Sequence, residues 1–171
     1  MSMSDACKVV DIVRDAGGRV VGRTRLQKIA YLLTVAGLET GLSFTYKHYG
    51  PFSENVATGA RHAHLLGRLG ETEAQASWGG TYSIYDVTAP IPPETPAARR
   101  QLAGLAASAD AIELELAATA VFLADDGFDR PWEETVRRKP EKAGDGRIER
   151  AKDLLERLRE IDTPIRLPEL G

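Results

Sequence analysis

Histidine and cysteine are the residue types in this sequence that most often bind metals or act as nucleophiles. His62 and His64 lie two positions apart, and residues at that spacing on a helix point to different faces. No third ligand is near them in sequence, so the pair is predicted to be surface histidines and no metal site is expected. Cys7 is the single cysteine, which excludes a disulfide within the chain. Its helical spacing to Val10 predicts a buried thiol rather than a reactive one.

Paired carboxylates are the remaining residues whose type suggests acid–base chemistry. Asp125 and Asp126 form one pair and Glu133 and Glu134 the other, and each pair falls at a predicted helix end, where acidic residues commonly act as caps or solvated charge. The sequence contains no Gly-rich phosphate loop, no nucleophile elbow and no catalytic Cys–His spacing. The chain is therefore predicted not to be an enzyme and to need no cofactor.

The charge distribution indicates binding rather than catalysis. The protein has 171 residues and a net charge of −3, but residues 1–70 carry a net charge of +4 and residues 71–171 a net charge of −7. A basic first part predicts an acidic or anionic partner for that part.

Local signals predict the elements that position these residues. A helix is expected from Ser4 or its neighbour to Gly17, because a good N-cap precedes an apolar stripe and glycine follows it. Thr24 followed by Gln27 has the spacing of a capping box at the start of a second helix, and Gly37 ends that helix.

The segment FTYKHYGPFS predicts a strand followed at once by a helix. Phe44, Tyr46 and His48 alternate with Thr45, Lys47 and Tyr49, and this period of two is typical of a strand. Gly50 and Pro51 are expected to turn the chain, because glycine permits unusual backbone angles and proline fixes the next φ. Ser53 can then cap a helix that runs to about Leu69.

A hairpin completes the first part of the chain. Gly79 and Gly80, between Trp78 and Thr81, are a two-residue hairpin signal. The predicted order is therefore helix, helix, strand, helix, hairpin. That is the order of a winged-helix-like α+β unit in which the hairpin is the wing.

The predicted domain organisation has four parts. Residues 1–90 form the winged-helix-like α+β unit, and residues 91–96 are a Pro-rich linker that cannot continue a sheet. Residues 97–162 form a helical C-terminal part packed on the first unit, with a break near Ser108 left open. Residues 163–171 are a tail.

Three motifs together resemble a known family. The stretches GRTRLQKIAYLL, FTYKHYGPFS and LELAATAVFL followed by KP resemble the YwgA-like family of uncharacterised bacterial proteins over residues 22–158. More remotely they are similar to Panacea (SocA-type) domains, in which an LQK…Y helix precedes a YGP turn. The Panacea resemblance implies a non-catalytic antitoxin or adaptor that binds another protein. The function of the YwgA-like family is not established.

The favoured function is thus a protein–protein interaction module. Aromatic side chains supply contact area at interfaces, and the LQK…Y and YGP motifs bring a lysine and two tyrosines into the candidate site. Tyr31 and Tyr49 are expected either to flank the turn as a binding node or to cap an edge of the core with bonded hydroxyls. The candidate partner-binding residues are Lys28, Tyr31, Tyr49, Gly50, Pro51, Trp78 and Tyr82.

A DNA-binding winged-helix regulator is the alternative. The third helix would be the recognition helix, and its nucleic-acid-binding candidates are Arg23, Arg25, Arg61, His64 and Arg68. Against this, no Lys or Arg occurs from Leu69 to Ala98, whereas a wing near phosphates should be basic. Tight binding to duplex DNA at physiological salt is not expected.

The location and assembly of the protein follow from composition. No apolar run approaches the roughly 20 residues that span a bilayer, and the N-terminus has no signal-peptide pattern. With a single cysteine, the expected location is the cytoplasm, with no membrane partner. A homodimer through the C-terminal helices is an open alternative.

Overall fold

The computed structural model describes residues 3–171 and has a mixed α+β fold, as predicted. The helices are α1 (Met3–Asp15), α2 (Arg23–Val35), α3 (Glu54–Leu65), α4 (Ala97–Ser108), α5 (Ala111–Asp125), α6 (Pro131–Arg138) and α7 (Arg147–Arg159). The strands are β1 (Arg19–Val21), β2 (Thr45–Lys47), β3 (Gly50–Phe52), β4 (Gly70–Gln75) and β5 (Thr81–Asp86). Within residues 3–171, no strand lies beyond β5.

Two antiparallel sheets are present in the described part of the chain. A three-stranded sheet has the order β1-β5-β4, and β2 pairs with β3 in a separate hairpin. Strand β1 was not predicted, because three residues between two helices are too few for a pattern of period two to be recognised. It joins the sheet by pairing Val20 with Tyr85, a contact between distant parts of the chain.

The hairpin β4–β5 is confirmed, but the prediction of a two-residue loop is wrong. The paired strands end at Gln75 and Thr81, so the loop has five residues. It is closed by a hydrogen bond from the Ala76 N–H to the Gly80 carbonyl at 2.8 Å. The ring of Trp78 lies over Gly80, where any side chain would collide with it.

The capping box predicted at Thr24 and Gln27 is wrong. The N-cap of α2 is Gly22, with φ of 97° and no side-chain cap bond, so Thr24 already lies inside the first turn. Gln27 instead hydrogen-bonds across the molecule to Ser53. A buried amide that satisfies two backbone groups outweighs the local cap.

The predicted turn at Gly50 and Pro51 is also wrong in position. The chain turns at His48 and Tyr49, and Gly50 and Pro51 are the first residues of β3, paired with Lys47 and Tyr46. Proline is tolerated here because β3 has a partner strand on one side only. Ser53 does cap α3, accepting a hydrogen bond from the Val56 N–H at 3.3 Å.

One cluster of buried apolar side chains includes residues from α1–α3, the three-stranded sheet and the C-terminal helices. The predicted stripe of α1 is part of it, with Ala6 and Val13 fully buried. The prediction that Cys7 is buried is wrong, since Cys7 is half-buried and accepts a hydrogen bond from Arg68.

The C-terminal part is helical, and the chain breaks between α4 and α5. Asp110 caps α5 by accepting from two backbone N–H groups, so the open question of a break near Ser108 is resolved in favour of two helices. Helix α5 is buried on most of its surface and packs against α2, β3, α6 and α7. Residues 91–96 contain no helix or strand.

The buried Arg99 and the half-buried Arg25 connect the C-terminal helices to the first 90 residues through ion pairs and hydrogen bonds. The Arg99 guanidinium contacts Asp15 at 2.6 Å and Glu39 at 3.0 Å and donates to the Leu38 carbonyl. Arg25 donates to the Ala109 carbonyl at 2.7 Å, at the break between α4 and α5. These contacts set where α4 and α5 lie against α1 and α2.

Candidate functional site

A cleft of about 1100 Å³ lies between α2, α3, the β4–β5 hairpin and the start of α5. Four of the seven predicted partner-binding residues line it. They come from three separate regions of the chain, and tertiary structure brings them together. These residues are Lys28, Tyr49, Trp78 and Tyr82.

The hairpin forms one wall of the cleft. Because side chains alternate along paired strands, Glu71 and Glu73 of β4 and Ser83 and Tyr85 of β5 line the cleft together. The Ser83 hydroxyl donates to Glu71 at 2.8 Å. Trp78, in the loop, is 74% exposed, so this wall presents acidic groups along its length and a large aromatic ring at its tip.

The LQK motif of α2 and the YGP motif of β3 meet at the opposite wall. The Gln27 amide accepts from the Ser53 N–H at 2.8 Å and donates to the Ser53 carbonyl at 3.0 Å. The Lys28 ammonium donates to the Pro51 carbonyl at 2.8 Å. Hydrogen bonds between the two motifs therefore hold β3 and the start of α3 against α2.

Lys28 is also part of a buried charged cluster. Its side chain is 1% exposed, and burial, only partly offset by attraction to Glu115, lowers the pKa of Lys28 to about 7. Glu115 of α5 is buried and contacts Lys139 at 3.0 Å and Lys142 at 2.8 Å. Lys139 in turn donates to the His48 carbonyl, which places the cluster against the β2–β3 turn.

The structure places Tyr31 and Tyr49 in different surroundings. Tyr31 is buried among aromatic rings, 5.2 Å from Phe44 and 6.0 Å from Phe122 between ring centroids. Its hydroxyl has no hydrogen-bond partner, and burial raises the pKa of Tyr31. Tyr49 is 52% exposed, and the Lys142 ammonium lies 4.5 Å from its ring centroid. Of the two, only Tyr49 lines the cleft.

Gly50 and Pro51 act through the backbone beneath the cleft. Gly50 has φ of +93°, and a side-chain carbon there would lie 2.5 Å from the Thr119 hydroxyl oxygen of α5. Glycine is thus required at position 50 for two reasons: the positive backbone angle φ and the close approach of β3 to α5.

Replacing Gly50 with Ala is expected to reduce the free energy of unfolding by about 1–3 kcal/mol, because the backbone is strained and the contact with Thr119 is too short. The matched control is Gly104→Ala. Gly104 lies within α4 with open space at the Cβ position, and alanine there should raise stability by about 0.5–1 kcal/mol. Urea unfolding measures both. Equal effects of the two substitutions would contradict the proposed requirement at Gly50.

The nucleic-acid-binding candidates are mostly engaged in contacts within the chain. Arg25 donates to two backbone carbonyls, and Arg23 lies 3.6 Å from Glu71. His64 hydrogen-bonds to the Leu69 carbonyl through Nδ1, and Arg68 contacts the Cys7 sulfur. Arg61 is exposed and lines the cleft together with Arg23 and Arg25.

Sequence reasoning missed the acidic centre of the cluster. Glu115 stands alone in the apolar run LELAATAVFL, and a lone carboxylate in such a run is a signal for a buried ion pair. The partners Lys139 and Lys142 lie beyond α6, too far in sequence to be assigned by spacing.

The paired carboxylates lie at helix ends. Asp126 is the C-cap of α5, and Glu134, in the first turn of α6, pairs with Arg138 at 2.7 Å. Among residues 3–171, no group of three or more His, Cys, Asp or Glu side chains could hold a metal ion. No helix in that range is long and apolar enough to cross a membrane.

The structure is that of an α+β protein with a cleft that has aromatic side chains at its rim and a buried lysine at one wall. The sequence matches no protein-family model, and no curated protein matches it.

Proposed function

We propose that this protein is a non-catalytic protein–protein interaction module, antitoxin- or adaptor-like, that binds a segment of another protein in the cleft. The observation that carries the proposal is that Lys28, Tyr49, Trp78 and Tyr82, from distant parts of the sequence, line the same cleft. The resemblance to Panacea domains points to the same kind of role.

The cleft has the size and surface of a peptide-binding site. Its volume of about 1100 Å³ lies slightly above the range of small-molecule pockets, roughly 300–1,000 Å³. Trp is among the residue types that most often dominate interface energetics, and Trp78 offers a large exposed ring. An extended partner segment would cover Trp78 on one side and Tyr49 on the other.

DNA binding through α3 is the second candidate, because Arg61 is exposed on that helix. It is less well supported, since Arg25, His64 and Arg68 are bonded within the chain. The hairpin that would be the wing carries Glu71 and Glu73, which repel phosphates. We further propose a cytoplasmic location, consistent with the single cysteine, and a homodimer remains a subsidiary proposal.

Replacing Trp78 with Ala is expected to abolish capture of the partner from an extract of the native host without changing the melting temperature. An interface Trp that acts as a hot spot is worth about 2 kcal/mol or more when truncated, whereas this exposed ring contributes little to the fold. The readout is affinity capture on immobilised protein with protein identification, together with thermal unfolding.

The matched control is Leu65→Ala, since Leu65 is 79% exposed and is not among the cleft-lining residues. It should capture the partner as the unchanged protein does. Titration with random and host-derived DNA duplexes at two salt concentrations tests the second candidate. Tight binding to one duplex, weakened in Arg61→Ala, would contradict the proposal. Weak, salt-sensitive association in the range of roughly 10⁻⁴–10⁻⁶ M would not.

A further inference from the structure

The Lys28 ammonium lacks a carboxylate partner. It has three N–H donors, and one of them bonds to the Pro51 carbonyl at 2.8 Å. Within residues 3–171, no carboxylate oxygen lies within 4.0 Å of its nitrogen. Lys28 is nevertheless one of the cleft-lining residues, so the side chain is desolvated yet lies where a bound molecule could meet it.

The surrounding cluster has an excess of positive charge. Lys28, Lys139 and Lys142 share one carboxylate, that of Glu115. Lys142 is partly hydrated, with 20% of its side chain exposed. The side chains of Lys28, Lys139 and Glu115 are buried, and in their charged forms they sum to one positive charge. Buried charge without a counter-charge is unfavourable.

A second polar group beside Lys28 is unsatisfied. The hydroxyl of Thr119 is fully buried and has no hydrogen-bond partner. Both this hydroxyl and the Lys28 Cε lie within 4 Å of the position that a side-chain carbon on Gly50 would take. Buried polar groups are normally paired, so the part of the core beside Lys28 is short of hydrogen-bond partners as well as of negative charge.

We infer that the bound partner segment places the carboxylate of an Asp or Glu side chain at this end of the cleft, in an ion pair with Lys28. The inference rests on the proposed function and names the chemistry of the partner. A single negative charge balances the buried side chains. A phosphate would bring about two negative charges next to Glu115, which also lines the cleft, and a carboxylate is therefore favoured.

The inference is tested by selecting binders from a displayed library of random peptides on the full-length chain. The expected result is a motif with apolar residues near one fixed Asp or Glu. In a peptide carrying Asp at that position, Asp→Asn should weaken binding at least about tenfold. Enrichment of peptides without any acidic preference would overturn the Lys28 inference while leaving the proposed function in place. Failure to enrich any peptide would overturn the proposed function and the inference with it.

Protein variants locate the acidic contact. Selection on Lys28→Met should lose the acidic preference but keep the apolar residues, whereas selection on Lys47→Met should return the unchanged motif, because Lys47 is exposed and is not among the cleft-lining residues. Circular dichroism verifies that both variants are folded. Should Lys28→Met not fold, the Asp→Asn peptide comparison on the unchanged protein still tests the inference, and equal binding of the two peptides would overturn it. Persistence of the acidic preference in folded Lys28→Met would contradict the assignment.

Discussion

Replacing Arg99 with Met is expected to lower the free energy of unfolding by about 3 kcal/mol or more. Arg99 is buried and is the shared partner of Asp15 and Glu39, whose side chains are almost inaccessible to water. Removing one member of a buried ion pair costs about 3–5 kcal/mol, because the remaining charge stays buried without compensation. Arg14 still contacts Asp15 at 2.9 Å, so the loss should fall at the lower end of that range. Urea unfolding measures it.

The neighbouring Arg100 provides the control. It is exposed on the same helix, so Arg100→Met should change the free energy of unfolding by no more than about 0.5 kcal/mol. A double variant that adds Glu39→Gln to Arg99→Met should recover part of the loss, because it removes a charge that was left unpaired. Equal effects of the Arg99 and Arg100 substitutions would show that the buried network does not hold α4 in place.

Replacing Lys28 with Met is expected to stabilise the free protein near neutral pH, and the gain should shrink as the pH rises. Burial lowers the pKa of Lys28 to about 7 in the folded protein, while the unfolded chain keeps the lysine protonated up to about pH 10. Between about pH 7 and about pH 10 the Lys28 side chain therefore binds more protons in the unfolded state than in the folded state. The stability contributed by this group therefore rises with pH across that window.

The size of this change in the free energy of unfolding follows from how far the pKa of Lys28 is lowered in the folded protein. Each pKa unit corresponds to about 1.4 kcal/mol, so between about pH 6.5 and about pH 9 the protein should gain about 2–3 kcal/mol relative to Lys28→Met. The charged groups packed around Lys28 are Glu115, Lys139 and Lys142, and they are present in both proteins. The difference between the two urea unfolding curves therefore isolates the titration of Lys28.

A matched substitution separates this effect from general changes in charge. Lys47→Met removes an exposed lysine, and its stability difference from the unchanged protein should be independent of pH in this window. A pH-independent difference for Lys28→Met as well would mean that Lys28 keeps its ordinary pKa in the folded protein. A buried lysine that lowers the stability of the free chain is easier to understand if its charge serves a bound partner.

The elements that the sequence predicts well depend on interactions between near neighbours. Ser53 caps α3 as expected, and the glycines at 79 and 80 lie in the loop of the hairpin. Each signal acts within a few residues, through a side-chain cap or a restricted backbone angle, so the surrounding fold has little influence on it. Helical periodicity likewise indicates the buried face of α1 because it depends only on the sequence of that helix.

The candidate site was predicted as a set of residues but not as an arrangement. Lys28, Tyr49, Trp78 and Tyr82 were selected by type and motif, and the structure brings them to one cleft. Tyr31, chosen by the same reasoning, lies instead among aromatic core residues. Sequence spacing does not tell which side of a helix will face a cleft formed by distant elements.

By itself, the sequence determined the α+β class, the N-cap of α3 and the identity of the chemically distinctive residues. Tertiary structure alone decided which local signals were used. Gln27 bonds to Ser53, 26 residues away, rather than forming the expected cap. Gly50 is required by its approach to Thr119 rather than by a turn. Arg99 reaches Asp15 across 84 residues. In each case a buried polar group or a close backbone contact must be satisfied by whatever the fold places beside it, and that requirement outweighs a local preference of about 1 kcal/mol.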